Sequence, residues 1–294
     1  LNLLILLISE IAFCCVAIIK KQWRNAGISS YAIWAAFIYL VPILIFTATI
    51  ISLIAEIQLS IAYFGYLFSW VVACFTHNFI RIYLYRFQSL SEFLAFDFIF
   101  ATLILYVIDI SHFSYNFSPY SLLGVLAVLT GSVILHSQKN TKTLKIPIKK
   151  IPFMNLAGMF VLISLLTAFS LTMSKAAVSL QNPFFHGAIA NALLFLCYFL
   201  IGRKKLNIAI SSKSFKKKTL YLCCFAMLIG SLAEAWALKT LPLTIIALTG
   251  LFIPLTIYSS YDFFNREILS NKQSTVAIIL IFTGFALYIT NTNF

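Results

Sequence analysis

The chain has 294 residues, of which 62% are hydrophobic and only 10% charged. A water-soluble domain of that size carries about 25% charged residues, so a soluble fold is excluded. The net charge of +13 lies mainly in polar breaks between apolar runs, where bases set orientation and meet anionic lipid, so a nucleic-acid partner is not expected.

Ten apolar runs are long enough to cross a bilayer as helices, at about 2–19, 31–55, 60–84, 91–109, 119–137, 153–173, 184–201, 219–238, 243–262 and 273–291. Each must be helical, because lipid cannot satisfy an open strand's backbone. The first run lacks a basic leader and reads as a first span rather than a signal peptide. Its Glu10 sits mid-run, where a carboxylate survives only beside a partner or water. The second run carries Pro42, a flexible point for rocking or a packing feature.

The third run holds Trp70, His77, Asn78 and Arg81. His77, Asn78 and Arg81 fall within about one turn and share a polar stripe with Tyr85. In the fourth run Glu92 lies near the helix start and reads as structural, while Asp97 is deeper. Asp109 and Asp262 end their runs and read as interface residues. The break at 138–152 divides the chain near its midpoint into segments 1–137 and 153–294, each with five spans.

In the second segment, Asn191 is polar mid-span, positioned for a cavity or to bind helices together. The break at 202–218 holds seven Lys or Arg in 17 residues and reads as a lipid-facing basic loop. Glu234 and Trp236 follow in the eighth run, and Gly250 and Pro254 mark the ninth as a second flexible point. Sliding the chain on itself by 153 residues aligns Asp109 with Asp262, Ser121 with Ser274 and Thr130-Gly131 with Thr283-Gly284. It also aligns Arg81 with Glu234. Five spans per copy make the second copy enter from the opposite side, giving an all-helical 5+5 inverted repeat.

Of the 21 Lys and Arg, 19 fall on one face of this arrangement; Lys175 and Lys239 remain for the other. Lys20 and Lys21 are counted in the first loop of the basic face. The positive-inside rule puts that face in the cytoplasm and both termini outside. The six cysteines lie inside apolar runs and read as small hydrophobes. The four histidines fall in different runs, so no metal or other cofactor is expected, and no nucleophile–base set or phosphate loop is visible.

Three stretches carry a likeness: Ala237-Leu-Lys-Thr-Leu-Pro-Leu-Thr-Ile-Ile-Ala247, Asn265-Arg-Glu-Ile-Leu-Ser270 and Leu280-Ile-Phe-Thr-Gly-Phe285. With the span count, they resemble the drug/metabolite transporter superfamily in its ten-helix EamA-like branch. Glu267 matches the family's glutamate before the last helix; Arg266 stands where glycine is usual, and Ser114 stands at the first-half equivalent of Glu267. The resemblance implies a multi-pass transporter of a small molecule in a bacterial plasma membrane. The lysine distribution predicts the reverse of the family's usual orientation. Glu10 is similar to the first-helix glutamate of the small multidrug exporters in that superfamily, where a carboxylate exchanges protons for cationic drugs.

The reading is a secondary transporter of a small polar or zwitterionic metabolite, such as an amino acid, acting as a monomer or homodimer. Arg81 takes an anionic group, Glu234 the opposite charge, and Glu10 couples protons. His77, Asn78, Trp70, Trp236 and Asn191 complete the expected substrate site. Three alternatives remain: a flippase for a lipid-linked sugar, a non-transporting membrane protein, and an intramembrane enzyme using Arg81, His77 and Glu234. Arg81 and Glu234 also fit a structural ion pair, Arg81 alone a snorkelling base, and Glu10 a packing position.

Overall fold

A computed structural model describes residues 1–57, 59–84, 90–115, 118–137, 156–210, 217–264 and 272–292. Tyr85, Arg86, Lys145, Lys213, Arg266 and Glu267 lie outside the described residues, as do the side chains of Glu92, Asp97, Pro254 and Asp262. Among the described residues the chain is made of helices joined by short turns, with no strand. Its helices are α1 (Asn2–Asn25), α2 (Ser30–Ala35), α3 (Val41–Ile54), α4 (Ile61–Leu84), α5 (Leu90–Ser111), α6 (Pro119–Ser137), α7 (Leu156–Leu180), α8 (Pro183–Ile210), α9 (Lys217–Thr240), α10 (Leu243–Phe264) and α11 (Lys272–Thr290). Among the described residues, five stretches are both long and apolar enough to cross a membrane: α1, Ser30–Ile54, Val161–Leu180, α8 and α9. The chain is an integral membrane protein by that measure.

Three local features differ from expectation. The second run is interrupted: a 3-10 turn, Ala36–Leu40, separates α2 from α3. Pro42 lies in the first turn of α3, where its ring would clash with the carbonyl four residues back in a continuous α-helix. The first helix does not end before Lys20. It continues to Asn25 and turns through Gly27 at φ +83°, so Lys20 and Lys21 are buried helical residues and not loop bases. The basic stretch after residue 201 is likewise not a loop throughout: α8 carries Arg203, Lys204 and Lys205 on to Ile210.

The helix starts follow a legible grammar. Ser29 caps α2 by accepting from the Ala32 N–H at 3.2 Å. Asn182 caps α8 through the N–H groups of Phe184 and Phe185, with Pro183 in the first helical position. At α10 the preceding residue is Pro242, which has no side-chain acceptor. The cap comes from α5 instead. Asp109 accepts from Leu243 N at 3.0 Å and from both the N–H and the hydroxyl of Thr244 at 2.7 Å each. Asp109 is fully buried, its carboxylate enclosed against the start of α10.

The chain divides into two compact units that cut across the sequence halves. The first, Leu1–Phe87 with Phe169–Leu241, packs α1 against α9 and both α2 and α3 against α8. The second, Gln88–Ala168 with Pro242–Phe294, packs α5 against α10 and α6 against α11. The α6–α11 crossing is a backbone contact. A Cβ on Gly124 would fall 2.6 Å from the Gly284 carbonyl oxygen, and one on Gly131 would fall 2.6 Å from that of Ala277. Small residues at such a crossing let helices approach closely where lipid gives no hydrophobic drive. Gly124→Val is therefore expected to force the pair apart and cost about 3 kcal/mol or more. A clear fall in the unfolding temperature of the detergent-purified protein is the expected result; an unchanged value would contradict the contact.

Candidate functional site

The polar side chains inside the first unit are positioned by the α1–α9 contact. Gly230 is the reason these helices meet closely, since a Cβ there would lie 2.8 Å from the Phe13 ring. Ser9 Oγ donates to the Gly230 carbonyl at 2.9 Å. Together with Trp236 Nε1 donating to Asn2 Oδ1 at 3.2 Å, these contacts fix an antiparallel register. Glu10 then faces the same region as Glu234, half-buried one turn beyond Gly230.

Arg81, half-buried on α4, completes the group. Its charge acts on both carboxylates, and the charge of Glu234 acts on Glu10. Three ionisable side chains from three helices thus share one electrostatic neighbourhood inside apolar segments. Among the described residues, neither Glu10 nor Glu234 makes a direct hydrogen bond. A carboxylate in that position can receive a ligand's cationic group without breaking an internal bond.

The other expected residues divide into two sets. His77 is buried on α4, one turn before Arg81. Asn78 is occupied in packing: its amide donates to the Tyr198 hydroxyl at 3.1 Å, and its carbonyl accepts from Trp34 Nε1 at 3.1 Å. Tyr198 in turn donates to the Cys74 carbonyl and stacks on Phe75. Asn191 is buried and donates to the Gly187 carbonyl of its own helix at 2.8 Å. Trp236 stacks on Phe184 at 5.4 Å. Trp70 is half-buried with its ring edge-on to His186, at 6.2 Å.

Several polar groups escaped the sequence reading. His186, fully enclosed at the start of α8, bridges Ser174 Oγ at 3.2 Å and the Tyr63 hydroxyl at 3.4 Å. The signal for it was the Asn182-Pro183 helix start, which puts His186 in the first turn, facing the end of α7. Lys175 is buried and donates to the carbonyls of Leu238 and Leu241 at 3.1 and 2.6 Å, closing the C-terminal end of α9. Its isolation from the other lysines was the visible hint. Lys20 is also buried, with Nζ 3.3 Å from the centroid of the Trp34 ring. Among the described residues no group of three His, Cys, Asp or Glu is placed to hold a metal ion.

No protein-family model matches the chain. No curated protein matches it either. A solved structure described only as "Crystal structure of protein" is similar over 99% of this chain and 97% of its own, at a TM-score of 0.63 and 13% identity. At that identity the likeness speaks for a shared fold and for nothing about activity.

Proposed function

We propose that this chain is a secondary transporter that moves a small polar or zwitterionic metabolite across a membrane by alternating access. The observation that carries the proposal is the gathering of Glu10, Arg81 and Glu234 from α1, α4 and α9. A buried charge inside a membrane protein is costly, by about 2.5–3.5 kcal/mol on insertion scales, and marks a pathway by default. Arg81 clamps the anionic group of the solute. Glu234 meets the cationic group, and Glu10 exchanges a proton for it.

The architecture of this proposal is ten spans in a 5+5 inverted repeat of the EamA-like kind, with α2 and α3 together forming the second span. Helix pairing supports it: α5 with α10, α6 with α11, and α2–α3 with α8 each join span n to span n + 5. So does a reciprocity in the α6–α11 crossing. Gly131 and Gly284 are 153 residues apart, and so are Gly124 and Ala277. Gly124 meets Gly284 while Gly131 meets Ala277, as two copies related by a two-fold axis would. The basic face is cytoplasmic by the positive-inside rule.

Reconstitution tests the proposal. Proteoliposomes containing the full chain are expected to accumulate at least one zwitterionic or anionic metabolite from a labelled panel, more so with a pH gradient imposed. Liposomes that match protein-free controls for every solute, with the protein shown folded, would reject transport and favour a non-transporting membrane protein.

A further inference from the structure

Two lysines lie in the last two turns of long helices, and they are satisfied differently. Lys175 gives two of its N–H groups to carbonyl oxygens. Lys20 is as deeply enclosed, at 5% exposure, yet among the described residues it makes no hydrogen bond. It lies against an aromatic wall, 3.3 Å from the Trp34 ring centroid and 4.9 Å from that of Phe37. A ring face attracts an ammonium, but it accepts none of the three N–H groups in the way an oxygen does. An oxygen from a ligand would supply what the rings do not.

The neighbourhood sharpens the point. Lys20 lies within electrostatic reach of Arg81, a like charge, and of Cys223 on α9. Glu10 precedes it by ten residues, about 15 Å along the α1 axis. The group formed by Glu10, Arg81 and Glu234 is therefore extended at one end by a second cation. Trp34 links the two cations: its ring faces Lys20 Nζ, and its N–H bonds to the Asn78 backbone carbonyl, one turn before Arg81 on α4. Two cations so placed can seat an anion. Trp34 is fixed as its floor by its own N–H bond to the Asn78 carbonyl and by its packing on Tyr198.

We propose that Lys20 and Arg81 together bind the carboxylate or phosphate group of the transported solute, with Trp34 holding the Lys20 ammonium in place. This deepens the transport reading and rests on it. It assigns the solute an anionic group that takes two cations, at the Lys20 end of the site. Binding transfers no proton and breaks no covalent bond; the solute's oxygens accept the N–H groups of both cations.

The test uses the full chain in nanodiscs of phosphatidylcholine, with 13Cε-labelled lysine and the Lys20 signal assigned from the Lys20→Arg variant. The Trp34 ring current sets this signal apart. Inorganic phosphate, acetate and glycine are titrated, with choline as the cation-only probe. At least one anion-bearing probe is expected to shift the signal saturably, and choline is not. Lys20→Gln is expected to weaken that probe's binding, read by intrinsic tryptophan emission, about tenfold or more, while Lys20→Arg stays within about threefold. A Lys20 signal that moves with no soluble anion overturns the proposal, as does one that moves only when phosphatidylglycerol replaces phosphatidylcholine. The wild-type signal decides the matter even where Lys20→Gln fails to fold. Solute uptake that survives Lys20→Gln but not Arg81→Gln would remove Lys20 from the site and leave transport standing. An anion-responsive Lys20 with no uptake of any solute would do the reverse.

Discussion

Asp109→Ala is expected to be the most damaging single substitution to folding among the described residues. It removes three acceptor contacts at once, to Leu243 N–H, Thr244 N–H and the Thr244 hydroxyl. No water reaches the site to replace them, since both Asp109 and Thr244 are fully buried. Each orphaned buried donor costs about 1–3 kcal/mol, and bonds to a charged acceptor lie at the upper end. The sum, about 4 kcal/mol or more, is a large share of the 5–15 kcal/mol typical of a folded chain. Pro242 cannot take over as a cap. Asp109→Asn keeps one oxygen and is expected to recover part of the loss. The unfolding temperature and the protease resistance of detergent-purified variants give the readout. Equal values for Asp109→Ala and the parent would show that the carboxylate does not hold α10.

Glu234→Gln is expected to have the opposite signature, with folding kept and uptake lost. The substitution preserves shape and removes only charge. Glu234 makes no hydrogen bond among the described residues, so no hydrogen bond is forfeited, only its attraction to Arg81. A charge-assisted contact to a cationic solute group contributes about 1.5–3 kcal/mol, so uptake is expected to fall about tenfold to a hundredfold. Glu10→Gln is expected to abolish the response to a pH gradient while leaving exchange of labelled for unlabelled solute measurable. Full uptake by Glu234→Gln, with the same gradient response, would remove this carboxylate from the pathway.

Much of the helical pattern was legible, because twenty apolar residues in a row leave the backbone no option but to bond within itself. The spacing of Arg81 and Glu234 also pointed to a shared neighbourhood. That Glu10 would join them was not legible from spacing. It follows from Gly230, which lets Phe13 and Ser9 close onto α9, and a lone glycine in an apolar run gives no sign of its partner. Lys20 and Lys21 misled for a physical reason. Paired lysines after an apolar run ordinarily mark its exit into water, whereas here an aromatic face receives Lys20 inside the protein. The cap that Asp109 supplies was not legible either, since nothing in a linear pattern says that a residue ending one helix begins another. Asn78 illustrates the converse: the sequence puts it beside Arg81 as a site residue, but its side-chain amide is spent on Tyr198 and its backbone carbonyl on Trp34.

The meeting of Gly124 with Gly284 has a mechanical consequence. Where side chains separate two helices, rotamer changes cushion small displacements; where main chains touch, that cushion is missing and the pair behaves as a single strut. Any bending that this half of the molecule undergoes must be taken up at the ends of α6 and α11 or in their neighbours, and not by sliding along the line where these two cross.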